Sequence, residues 1–177
     1  CISALVNAVR SRLGMTARVD IGDRVPQAVL AHVAGGELQP VALHDLLAGR
    51  RALIAGVPGA FTPVCTIKHI PDLLENAGRL AKGGYDLIAC VVPDNPWAVA
   101  AWAAEIDPYG QLMFLSDGNL ALARALGVTT PGFDYYMGET SARYLMVTES
   151  GIIRRFNVEK RFTDVTCTRA DDAVMLD

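Results

Sequence analysis

No two of the four cysteines, at positions 1, 65, 90 and 167, are close enough in sequence to form a C-x-x-C pair. That argues against a zinc ribbon or finger and against a thioredoxin-type dithiol. Four cysteines in 177 residues are also sparse for a disulfide framework. The expectation is an intracellular protein whose cysteines are mostly buried hydrophobes, with one or two chemically active. An excess of basic side chains is missing as well. Sixteen Lys and Arg stand against nineteen Asp and Glu, for a net charge of −3, so a nucleic-acid partner is not expected. No apolar run approaches the roughly 20 residues of a spanning helix, so no membrane partner is expected either. Apolar residues make up 51% of the chain and charged ones 20%, which excludes a disordered or fibrous protein and suits one domain.

From Arg24 onward strand and helix signals alternate. Short strands are predicted over Val25–Val33 and Leu38–Leu43, around a Gly35-Gly36 turn, and over Arg51–Val57. A helix over Thr66–Lys82 ends at Gly83-Gly84. Tyr85–Val92 (YDLIACVV) reads as a buried strand, Pro96–Ile106 as a helix, Leu112–Ser116 as a strand and Asn119–Leu126 as a helix. Residues 127–141 read as a loop. Tyr144–Thr148 and Ile152–Val158 read as a hairpin about Glu149-Ser150-Gly151, and a polar loop with a short helix ends the chain. Alternation followed by a late hairpin argues for an α/β sheet of mixed strand direction. Residues 1–14 have Ile2, Leu5, Val6, Val9 and Leu13 at helical spacing, Arg10 and Arg12 as their only charges, and no acid before Asp20. They resemble the tail of a mitochondrial targeting segment, with a packed N-terminal helix as the other reading. The division is thus an extension over 1–19 and a domain over 20–177.

The chemistry is concentrated in Gly56–Leu73, GVPGAFTPVCTIKHIPDL. An apolar strand runs into a loop with Pro58, Gly59 and Pro63, and Cys65 opens a helix. Free N–H groups and the dipole at a helix start favour negative charge, and so the thiolate. Thr62, three residues earlier, can turn its hydroxyl towards the sulfur, and the two prolines can wall it from water without supplying competing donors. A phosphate loop fails for want of a second spaced glycine and a Gly-Lys-Ser/Thr ending. His69 can be a base on the same helical face or a plain helix residue. A hydrolase built on Cys65 and His69 would need an oxyanion hole and a group to orient the histidine, and nothing nominates them.

PGAFTPVCTIKHIP resembles the active-site segment of the peroxiredoxins, whose Pro-x-x-x-Thr/Ser-x-x-Cys pattern reads here as Pro58, Thr62 and Cys65. With His69 and Pro71 it is similar to the type II, atypical two-cysteine branch. YDLIACVV resembles the family strand bearing a cysteine 25 residues after the active one (90 − 65 = 25), ARYLMVTESGIIRRFNVE its late hairpin, and VTCT the loop holding a distant cysteine. The resemblance implies a thioredoxin-like fold, a central mixed β-sheet flanked by helices. It implies a thiol-dependent peroxidase for hydrogen peroxide and alkyl hydroperoxides. Cys65 would be the peroxidatic nucleophile, Thr62 would bind and orient the peroxide, Pro58 would shield the site, and Arg143 would bring positive charge to thiolate and leaving oxygen. Cys167 is the favoured resolving cysteine because its segment is polar, and Cys90, in an apolar strand, is the alternative. The implied reductant is thioredoxin or glutaredoxin with glutathione, the implied assembly a homodimer, and the expected compartment cytoplasmic or mitochondrial. No metal, haem or flavin is implied. The alternative function is a thioredoxin-fold redox sensor or relay without efficient turnover. VVPDNPW after Cys90 departs from the family's Val-Asn-Asp-Pro-Phe-like run, and KRFTDVT, starting at Lys160, departs from a Gly-rich equivalent.

Overall fold

A computed structural model describes residues 19–161 and 163–174. The reading of residues 1–14 lies outside the described residues. In chain order the elements are β1 (Val29–Ala34), β2 (Glu37–Ala42), α1 (Leu43–Leu47), β3 (Arg51–Gly56), a π-helical turn (Cys65–His69), α2 (Ile70–Glu75), α3 (Ala77–Lys82), β4 (Leu87–Val92) and α4 (Pro96–Ile106). There follow β5 (Met113–Ser116), α5 (Ala121–Leu126), β6 (Thr129–Pro131), a 3₁₀ turn (Phe133–Tyr135), β7 (Glu139–Ser141), β8 (Tyr144–Glu149), β9 (Ile152–Val158) and α6 (Ala170–Val174).

Seven strands form one mixed sheet in the order β2-β1-β5-β4-β3-β8-β9. The central pairs β3–β4 and β4–β5 are parallel, and the flanking pairs are antiparallel. Both faces of the sheet are covered, so the central strands read as unbroken apolar runs, and successive side chains feed two separate cores. Leu53 and Ala55 of β3, with Ile88, Cys90 and Val92 of β4, join Ile70, Leu73, Leu80, Val99 and Trp102 on one face. Ala52 and Ile54, with Ala89 and Val91, join Leu43, Leu47, Leu122 and Leu126 on the other. The β8–β9 hairpin turns on Ser150 (φ 49°) and Gly151 (φ 77°). Two left-handed residues at such a tip match the twist of the flanking strands, and glycine is free to take that conformation.

The helix α1 over Leu43–Leu47 was not expected from the sequence, and two further elements differ from that reading. The helix expected over Thr66–Lys82 is broken at Asn76 and begins with the π turn, in which Ile70 N donates to Cys65 O. Pro71 has no N–H and its ring crowds the carbonyl four residues back, which accounts for a widened turn just before it. The loop expected over 127–141 carries a separate two-stranded ribbon of β6 and β7. Strands of three residues are too short to display an alternating pattern.

Candidate active site

The strand β3 delivers the chain to the site. Val57 N still donates to Val91 O beyond the end of β3, and the chain then turns through Pro58–Thr62. This loop is tied to two other segments and braced by one bond of its own. Thr140 Oγ1 on β7 donates to Pro58 O at 2.6 Å, Ala60 N donates to Asp94 Oδ2 at 2.7 Å, and Thr62 Oγ1 donates to Gly59 O at 2.9 Å. A Cβ at Gly59 would sit 2.7 Å from Met137 Cε, the far end of a flexible side chain, so the loop and the segment between β6 and β7 lie in close contact there. Thr66 N donates to Thr62 O, and Trp102 Nε1 donates to Thr66 Oγ1 at 3.1 Å. Cys65 is thereby held, fully buried, at the start of the π turn. Thr62 spends its proton on Gly59 O and leaves its lone pairs open to a donor from a ligand.

Arg143 immediately precedes β8, and β8 pairs with β3 in a register that sets Tyr144 opposite Gly56. That pairing carries Arg143 to the point where β3 releases the cysteine loop. Its Nη1 donates to Cys65 Sγ at 3.4 Å and to His69 Nδ1 at 2.9 Å, and its Nε donates to Asp164 O at 3.1 Å. The guanidinium is almost wholly buried. Arginine has donors only, so Nδ1 of His69 accepts, and the ring proton resides on Nε2, which donates to Thr168 O at 2.8 Å. Burial first, then the charge of Arg143, pushes the His69 pKa down to about 3. The ring is neutral at ordinary pH with both nitrogens engaged, so His69 is not a general base for Cys65.

A cavity of about 460 Å³ opens onto this group, lined by Pro58, Phe61, Thr62 and Arg143 together with Tyr135 and Met137 from the ribbon. Its walls are mostly apolar, with Arg143 and the hydroxyl-bearing Thr62, Thr163 and Tyr135 as polar features. Tyr135, Met137 and Thr140 escaped the sequence reading, whereas Asp94 lies in the run after Cys90 that this reading singles out. The first three lie in segments with no motif of their own, and only strand pairing brings them here. Asp94 belongs to the PDN run that departs from the family pattern, and it now anchors Ala60.

The other two cysteines among the described residues occupy different settings. Cys90 is a free thiol, like Cys65, and shares one apolar cluster with it. Burial, then the proximity of Cys65, pushes the Cys90 pKa well up. Cys167 is also buried, although its segment is polar. The loop around it is pinned by Glu159, whose carboxylate accepts from Thr166 N, Thr166 Oγ1, Cys167 N and Thr168 Oγ1 at 2.6–3.0 Å. Burial pushes the Glu159 carboxyl up, but these hydrogen bonds outweigh it and hold the pKa below its ordinary value.

A buried cysteine at a helix start, faced by a buried arginine from a neighbouring strand, is the arrangement that the Pro-x-x-x-Thr-x-x-Cys segment implies. The Redoxin family matches residues 20–174. The chain is 40% identical to the rice (Oryza sativa subsp. japonica) protein named peroxiredoxin-2E-2, chloroplastic, over 82% of this chain and 67% of that one. It is 31% identical to Arabidopsis thaliana peroxiredoxin-2B, over 88% of this chain and 96% of that one. The chain belongs to the peroxiredoxins. Reduced Prx3 from Vibrio vulnificus, solved in complex with hydrogen peroxide, superposes with a TM-score of 0.82 at 28% identity, covering 88% of this chain and 94% of the other. The fold is thioredoxin-like, and the protein is a peroxidase that draws on thiol chemistry. Among the described residues no helix is long and apolar enough to cross a membrane. Against the rice relative the chain spans about two thirds of the length.

Proposed function

We propose that this peroxiredoxin reduces hydrogen peroxide and alkyl hydroperoxides with Cys65 as nucleophile. The observation that carries the reading is the 3.4 Å contact of Arg143 Nη1 with Cys65 Sγ beside the cavity. The thiolate attacks one peroxide oxygen, the O–O bond breaks, and the leaving oxygen takes a proton to depart as water or alcohol. Cys65 is left as a sulfenic acid. Arg143 stabilises the thiolate and the charge growing on the leaving oxygen. Thr62 Oγ accepts from the peroxide O–H and aligns it, while Pro58 keeps water off the sulfur. The apolar walls of the cavity suit an alkyl group on the second oxygen.

The sulfenic acid then condenses with a second thiol, forming a disulfide and releasing water. What supports Cys90 in this role is that it is a free thiol in the same cluster as Cys65. Its burial keeps it protonated and inert while Cys65 is reduced. Unwinding of the π turn would admit water and bring the sulfurs together, at less cost than global unfolding. Cys167, favoured by the sequence reading, would have to leave the four hydrogen bonds that Glu159 accepts around it. Thioredoxin or glutaredoxin with glutathione restores both thiols. The exposed aromatic rings of Phe61, Phe133, Tyr135 and Tyr136, on two loops at the cavity, support a homodimer with the site near its interface. The compartment is one that supplies a thiol reductant. The chloroplastic name of the rice relative sets the plastid beside the cytoplasm and mitochondrion. The domain is proposed to span 20–177, after an extension over 1–19.

The test is rapid mixing with peroxide while following tryptophan fluorescence, since Trp102 is bonded to Thr66 next to Cys65. A stoichiometric change followed by turnover with thioredoxin or glutaredoxin supports the reading. Oxidation with no turnover on either reductant would make the protein a sensor or relay instead.

A further inference from the structure

Four side chains and three chain segments close a ring of hydrogen bonds behind the cysteine. Arg143 Nη1 donates to His69 Nδ1, His69 Nε2 donates to Thr168 O, Thr168 Oγ1 donates to Glu159 Oε1, and Glu159 N donates back to Arg143 O. The distances run from 2.8 to 3.0 Å. His69 and Thr168 are as buried as the arginine, and Glu159 is buried nearly as far.

We propose that His69 and Glu159 are positioning residues of the peroxidase site, which through this ring hold the Arg143 guanidinium on Cys65 Sγ. The proposal rests on the reading of Cys65 as nucleophile and Arg143 as its partner. A long arginine side chain has many rotamers, and one geometry has to be selected from them. Each neighbour that meets the guanidinium must accept, because it carries donors alone. A neutral histidine accepts at Nδ1 only while its proton stays on Nε2, and a neighbouring acceptor decides that choice. Thr168 O is that acceptor. Without it the ring could shift its proton to Nδ1 and set donor against donor at Arg143. Thr168 O is held in turn by the Glu159 carboxylate, which takes four donors from the 166–168 segment and returns its own backbone N–H to Arg143 O. The segment bearing Cys167 is in this way coupled to the reactive sulfur through His69, with no direct contact required.

The experiment compares His69→Leu, His69→Asn, His69→Gln and Glu159→Gln with the wild type. Three quantities are read: the pH profile of Cys65 alkylation, the second-order rate constant with hydrogen peroxide, and Tm as a folding control. His69→Leu is expected to move the alkylation profile to higher pH and to lower the rate constant about tenfold or more, the scale of losing one hydrogen bond to a charged group. Asn places an amide oxygen where Nδ1 was, so His69→Asn is expected to recover much of that loss. The longer Gln reaches towards Thr168 O instead, so His69→Gln is expected to resemble Leu. Glu159→Gln, which turns a donor towards the loop, is expected to give a smaller loss that is non-additive with His69→Leu. Folded Leu and Glu159→Gln variants with a wild-type profile and rate constant would overturn the proposal. If His69→Leu does not fold, the Asn and Gln variants decide, and equal rate constants for the two would overturn it. Wild-type Cys65 that fails to react with peroxide overturns the peroxidase reading instead, whatever the His69 variants do.

Discussion

Arg143 reaches back 78 residues to place its Nη1 3.4 Å from Cys65 Sγ, with neither group open to solvent. A buried cation is costly unless its neighbours accept from it, and here they include a sulfur, a neutral imidazole and a backbone carbonyl. Cys65, proposed as the nucleophile, thus has a donor of fixed charge beside its sulfur.

Replacing the nucleophile tests the centre of this arrangement. Cys65→Ser is close to isosteric and should fold, but a serine hydroxyl does not ionise at neutral pH. Turnover should fall below about a hundredth of wild type, since removing a nucleophile costs orders of magnitude. Peroxide consumption and a near-ultraviolet spectrum on the same sample check activity and fold together.

Arg143→Lys keeps one charge but loses the planar fork that serves Cys65, His69 and Asp164 at once. We expect alkylation of Cys65 at neutral pH to slow and peroxide reduction to fall by about tenfold to a hundredfold, the range for losing one or two charge-assisted hydrogen bonds. Arg143→Ala should fall further and also lose Tm, because it opens a cavity beside the π turn. An Arg143→Lys enzyme with wild-type rates would remove arginine from the mechanism.

Disulfide mapping separates the two candidate resolving cysteines. After one equivalent of peroxide, peptide masses under non-reducing conditions should show Cys65 joined to Cys90. Cys90→Ser should consume one equivalent, stall with thioredoxin and over-oxidise to sulfinic acid under excess peroxide. A Cys65–Cys167 pair would return the role to Cys167. Turnover sustained by glutathione with no disulfide to Cys65 would leave a one-cysteine cycle.

His69 and Glu159 make the fold acid-sensitive, and the sign follows from the direction of each shift. The His69 pKa is lowered from 6.5 to about 3, so its contribution is complete above 6.5 and is lost as pH falls towards 3. In that window the unfolded chain binds a proton that the folded one refuses, at about 1.4 kcal/mol per pH unit. Glu159 is also lowered, so its contribution is present above the ordinary carboxyl range and disappears as pH falls through the folded value. Urea midpoints taken from about pH 7 to about pH 4 should decline steadily. The decline should be shallower in His69→Asn, and an equal slope in the two proteins would contradict the buried neutral histidine.

Gly56→Ala tests the register that delivers Arg143. A Cβ at Gly56 would fall 1.9 Å from Tyr144 Cε1, and Tyr144 is itself buried in the second core. The ring has to move, at a cost of about 1–3 kcal/mol or more. Because Tyr144 follows Arg143 directly, peroxide reduction should fall together with Tm.

The reactive segment was legible in the sequence because its chemistry is local. Pro58, Thr62 and Cys65 lie within one loop and one helical turn, and a helix start acts on a thiol through groups only a few residues away. The strands of the sheet were legible for a related reason: burial on both faces demands unbroken apolar runs such as LIACVV. Arg143 was found only through the resemblance, since nothing local distinguishes it from a surface charge. What the linear sequence could not display is the pairing of β3 with β8, which carries Arg143 to the sulfur. Nor could it display the ribbon that closes the cavity, whose three-residue strands show no period. His69 is the sharpest case. By sequence it could be a base or a bystander. Two contacts, 74 and 99 residues away along the chain, fix its tautomer and occupy both ring nitrogens. Cys167 sits in a polar stretch that reads as exposed, yet one carboxylate gathers the surrounding donors and buries it. Hydrogen-bond direction and burial are properties of what lies opposite a residue, and only the tertiary structure decides that.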